Sequence, residues 1–156
     1  MKIELINQMS AETKLAKSMV ALLDKERDAL ADSNSQLINQ LAVEKRNMLA
    51  ELENLAKKRL QLVAQMGYRK NAGSVQKFLA QQDPSQALAK SWESLHEYLQ
   101  ICADKNLVNG RIISLSQRKT EVALNVLRGQ FNQNNAAYNR MGKVTHQAYG
   151  STVTSA

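Results

Sequence analysis

At 156 residues, with 44% hydrophobic content, one proline and six glycines, the chain is one domain's worth of turn-poor sequence, which argues against a sheet-rich fold and for long helices. Its formal charge of +7 and pI near 9.6 admit a nucleic-acid or membrane-surface partner, but no run approaches the ~18 apolar residues that a bilayer span requires. The lone Cys102 excludes an internal disulfide and the N-terminus MKIELINQMS lacks the apolar region of a secretory signal, so the expectation is a soluble cytoplasmic protein with no membrane insertion.

Taken in chain order, Leu15, Met19, Leu22, Leu23 and Leu30 repeat near 3.6 and predict an amphipathic helix over about 10–31, with Ser10 as its N-cap. Asp32 to Ser35 gathers four cap and turn formers, leaving a break or a kink before the next helix. Leu41, Met48, Leu55 and Leu62 then recur at heptad spacing, widened by Leu37, Leu52, Val63 and Met66, and predict a helix over 35–66. Lys45, Glu51, Lys57 and Arg59 are assigned mostly to its other, solvated faces. Gly67 reads as the C′ residue of that helix, and a short helical piece from Ser74 to Gln81 bridges the following loop.

Asp83-Pro84-Ser85 supplies a cap and a first-turn proline, predicting a third long helix over 84–128. Leu88, Trp92, Leu95, Leu99 and Cys102 alternate at coiled-coil spacing along it, and Val108, Ile112, Leu115, Val122 and Val126 carry the apolar face onward. None of these stripes can be buried alone. The expected fold is therefore all-α, an elongated antiparallel bundle or coiled-coil hairpin of about three long helices over 1–128, with the two earlier helices laid antiparallel along the third.

Catalytic and metal-binding constellations are missing from the sequence. Cys102 falls in a core series and His96 is one and a half helical turns away; there is no CxxC, no HExxH and no phosphate-cradling glycine loop, so no enzyme activity, cofactor or metal is implied. Asn106 and Asn109 occupy stripe positions that would otherwise be apolar, with Gly110 directly after. They read either as a polar layer that fixes helix register and an approach point for another helix, or as a solvated bundle end.

After Asp104 the only acid is Glu121, while Arg111, Arg118, Lys119, Arg128, Arg140 and Lys143 all follow, so the positive excess belongs to the C-terminal third. Residues 129–156 lack leucine and isoleucine and are dense in Asn, Gln, Ala and Gly, the composition of a mobile tail. Within it Tyr138, Met141, Thr145 and Tyr149 keep helical spacing, which suits either folding against a partner's groove or an inert solubilising tail.

As a whole the pattern resembles the FlgN type of flagellar type III export chaperone, which serves the hook-associated proteins. The resemblance rests on LLDKERDAL in the first helix, EKRNMLAELENLAKKRLQL in the second, SWESLHEYLQICADKNLVNGRIISL in the third and the pair Tyr149-Gly150 near the end. It implies a cytoplasmic chaperone that binds the C-terminal helical segments of the two hook–filament junction proteins, prevents premature assembly, and delivers them to the export gate. It also implies cargo contact by the C-terminal region, assigned here to Val122, Val126, Leu127, Phe131, Tyr138 and Met141, and docking of Tyr149 on the gate's cytoplasmic domain. The short STVTSA after Gly150 departs from the family's longer ending. The alternatives are a basic coiled-coil protein that binds nucleic acid and a structural homodimer, with a homodimer of the free chaperone a further partner to test.

Overall fold

The structure, a computed structural model, describes residues 1–69 and 73–128. Among these residues the protein is all-helical, with four helices rather than three: α1 (Lys2–Ala31), α2 (Ser35–Gln65), α3 (Val75–Gln82) and α4 (Ala87–Leu127). The fourth is the short connector α3, which the sequence reading placed at Ser74 to Gln81 beside its three long helices; the Ser74 hydroxyl accepts the Lys77 amide at 3.3 Å as its N-cap. The chain divides into two units, Met1–Leu115 and a second that begins at Ser116 and is described as far as Arg128.

Two helix starts differ from the sequence reading. Ser10 is not a cap, because α1 already begins at Lys2. Leu5 and Met9, one turn apart and both buried, extend the stripe backwards and reward the extra two turns of helix. The proline signal marks a turn rather than the start of α4. The Gln86 amide donates to the Asp83 carbonyl at 2.9 Å, closing a turn with Pro84 in its second position, and Gln86 sits at φ 57°. Asp83 still serves α4, its carboxylate accepting from the Ser85 amide and hydroxyl and from the Leu88 amide at 3.4 Å.

Between α1 and α2 the chain breaks. Ser33 adopts φ 53°, the Asn34 amide returns to the Ala29 carbonyl at 2.9 Å, and the Asn34 side chain caps α2 by accepting the Leu37 amide at 3.1 Å. This turn reverses the chain, so α1 and α2 lie antiparallel: Glu12 meets Arg59 and Glu26 meets Lys45. Within the first unit α4 runs in the same direction as α1, Lys17 lying over the Tyr98 ring and Asp24 pairing with Lys105. Two reversals of direction separate these helices, so α1 lies parallel to α4 rather than antiparallel as the sequence suggested, and of the two earlier helices α2 alone runs against it.

Two hydrophobic clusters fill this unit. One joins Leu5 and Met9 to Val63, Leu79, Leu88 and Leu95. The other joins Ala16, Met19, Leu22 and Leu23 to Leu41 and Leu52. Each fully buried leucine contributes roughly 1.5–3 kcal/mol relative to exposure, the term that holds helices of mixed propensity in place.

Candidate functional site

The side chains that the sequence assigned to solvent include the most consequential polar groups of the first unit. Arg59 is buried rather than surface-exposed: its Nε and Nη2 donate to the Glu12 carboxylate at 2.8 and 3.3 Å, and its guanidinium lies 4.9 Å from the centre of the Trp92 ring. Glu12 itself is buried on α1, which supplies the counter-charge that lets Arg59 enter the core. A second polar layer forms further along the same helices. Lys45 Nζ donates to Glu26 Oε1 at 2.6 Å, and the buried Asn109 donates through Nδ2 to Glu26 Oε2 and to the Leu23 carbonyl, both at 2.9 Å. No buried side-chain polar atom lacks a partner among the described residues.

The three residues proposed as a polar layer therefore lie in different surroundings. Asn109 is inside, spanning α1 and α4. Asn106 is exposed, its Oδ1 3.4 Å from Lys45 Nζ. Gly110 is exposed and a Cβ added there would meet nothing within 4 Å, so among the described residues no helix uses it as an approach point.

No catalytic arrangement emerges among the described residues. Cys102 packs against the second cluster and its Sγ donates to the Ala16 carbonyl at 3.4 Å, while burial pushes its thiol pKa up, away from the reactive thiolate. Beside it an apolar hollow of about 230 Å³, lined by Leu49, Leu52 and Leu99, has Lys45 as its only charged lining residue, and that charge is taken by Glu26. Among the described residues no group of His, Cys, Asp and Glu could hold a metal ion, and no helix is long and apolar enough to cross a membrane.

The described part of the second unit has a different character. From Ser116 to Leu127 α4 continues as regular helix with no glycine or proline, and the Thr120 hydroxyl donates back to the Ser116 carbonyl at 3.0 Å. None of its residues is buried. Its apolar side chains nevertheless include Val122, 62% exposed, Val126, 52%, Leu127, 83%, and Leu124, 44%. The sequence reading named three of these and missed Leu124, which lies two positions past Val122 and so off the heptad stripe. The clue was available: four large aliphatic residues fall within six positions, more than one heptad stripe can hold. Soluble chains seldom leave grouped apolar side chains in water, which makes this patch a candidate interaction surface. Phe131, Tyr138, Met141 and Tyr149 lie outside the described residues.

No curated protein and no solved structure matches the chain. A family model described as FlgN protein does match, over residues 1–146, spanning all four helices. That coverage takes in both polar layers and the exposed end of α4, and with it the chain belongs to the FlgN family of flagellar export chaperones.

Proposed function

We propose that this chain is a cytoplasmic, non-enzymatic chaperone that binds the C-terminal helical segments of hook-associated proteins, keeps them from assembling early and hands them to the type III export gate. The observation that carries the reading is the exposed apolar end of α4, Val122, Leu124, Val126 and Leu127, in a chain of the FlgN family. A helix with apolar residues at heptad-compatible spacing buries them best against another helix, and helical termini are the form in which such cargo would arrive. Membership in an export-chaperone family supports a partner that is bound and then released.

The cargo surface continues, on sequence grounds, through Phe131, Tyr138 and Met141, and Tyr149 docks on the gate's cytoplasmic domain. Within the first unit the buried Asn109 and its partners hold α4 in register against α1. The test is calorimetry with light scattering, using the full chain and purified hook-associated protein, intact or lacking its terminal helices. One-to-one binding that disappears with those helices is the expected result. Equal binding to both forms, or none to either, defeats the reading.

A further inference from the structure

The exposed end of α4 carries a charge in its seam. Following Leu115, positions 119, 122 and 126 step by 3 and 4, the spacing of a helix face that meets a partner helix, and the second and third hold Val122 and Val126. The first holds Lys119, with Arg118 beside it on the flank; both are exposed and neither is ion-paired among the described residues. Glu121, the only acid after Asp104, is two residues on from Lys119 and so about 200° around the helix, turned away from the seam.

We infer that Lys119 selects the partner of this surface: an acidic amphipathic helix that brings a carboxylate opposite the lysine while its apolar residues cover Val122 and Val126. This rests on the chaperone reading and states the chemistry of the cargo helix it requires. A second copy of this chain fits poorly. A parallel in-register pair sets Lys119 against Lys119, and an antiparallel pair sets it against valine, so in both the ammonium enters an apolar seam without a counter-charge. Nucleic acid also fits poorly, because Arg118, Lys119 and Arg128 are few and stand among aliphatic side chains that gain nothing from a phosphate backbone. A single lysine at a seam position sets register and partner choice at some cost in affinity, which suits a complex that must come apart.

The experiment measures the affinity of the full chain for an intact hook-associated protein by calorimetry, for wild type, Lys119→Glu, Lys119→Leu and the opposite-face control Glu121→Gln. Lys119→Glu weakens binding roughly tenfold, Glu121→Gln leaves it unchanged, and changing one acid of the cargo's terminal helices to lysine restores the affinity of the Lys119→Glu form. Lys119→Leu self-associates by light scattering, since the charge that opposes self-pairing is gone. Cargo affinity equal in wild type and Lys119→Glu overturns the inference while leaving the chaperone reading standing. A stable wild-type dimer abolished by Val122→Ser makes the second copy the occupant, and loss of oligonucleotide binding in Lys119→Glu with cargo affinity intact assigns the cation to nucleic acid; either overturns it. A wild-type chain that binds no cargo removes the chaperone reading, and this inference falls with it.

Discussion

Replacing Val122 and Val126 together by serine separates binding from folding. In the free chain these side chains are 62% and 52% exposed, so roughly half of each remains to be covered by a partner. Full burial of a valine is worth about 1.5–3 kcal/mol, and the uncovered half therefore contributes about 1 kcal/mol per residue on binding. The double variant should lose about 2 kcal/mol of cargo affinity, a factor of roughly 30. Folding should barely notice. Serine and valine have similar helix propensities, and exposed substitutions of this kind cost within about 0.5 kcal/mol. The assay pairs calorimetry against hook-associated cargo with urea unfolding followed by far-ultraviolet circular dichroism. Cargo affinity within twofold of wild type refutes the assignment of this surface. Strong destabilisation of the variant refutes the view that these valines are free of the core.

Four further outcomes follow from the same geometry. Glu12→Leu strands the buried Arg59 and should cost about 3–5 kcal/mol in urea unfolding, whereas adding Arg59→Met should recover most of it; equal losses in the single and double variants would show that packing, not charge, is responsible. Asn109→Leu keeps the volume but removes a donor from Glu26 and the Leu23 carbonyl, so a loss of roughly 1–3 kcal/mol is expected, and a neutral result means water replaces the amide. Cys102, its thiol pKa raised by burial, should react with iodoacetamide at pH 8 roughly tenfold or more slowly in the native than in the urea-unfolded chain; the raised pKa adds stability that is complete below the unfolded value and fades as pH climbs through the folded one. Asp83 behaves in the opposite sense. Its carboxyl is held below the usual range, first by the Ser85 hydroxyl, so the stability lost in Asp83→Ala should be present above about pH 4 and shrink as pH falls through the folded pKa. A thermal-unfolding difference that does not change with pH would remove the carboxylate from that role.

The sequence by itself determined the helices and the family. Heptad and 3.6-residue spacing depends only on neighbours along the chain, so Leu41, Leu88 and Leu95 were legible as inward residues, and Asp32 to Asn34 as a place where helix gives way, because each of these residues prefers caps and turns. The exposed valines were also nameable, since Leu115, Val122 and Val126 continue a stripe toward a segment too poor in leucine to cover it.

Only the tertiary structure decided which charges go inside. Arg59 and Lys45 read as surface residues because a helical pattern shows where a side chain points, not what waits there; Glu12 and Glu26, more than eighteen residues earlier on another helix, supply the partners that make burial affordable. Likewise Asn109 and Asn106 are equivalent in spacing, yet the first faces α1 and is enclosed while the second stays wet. Pro84 shows the same limit at short range: a proline that could open a helix or sit second in a turn was assigned by the Gln86 amide, which closes the turn and lets α4 begin at Ala87. Periodicity is a property of one helix, whereas the pairing of charges and the choice of turn are properties of what the helix packs against.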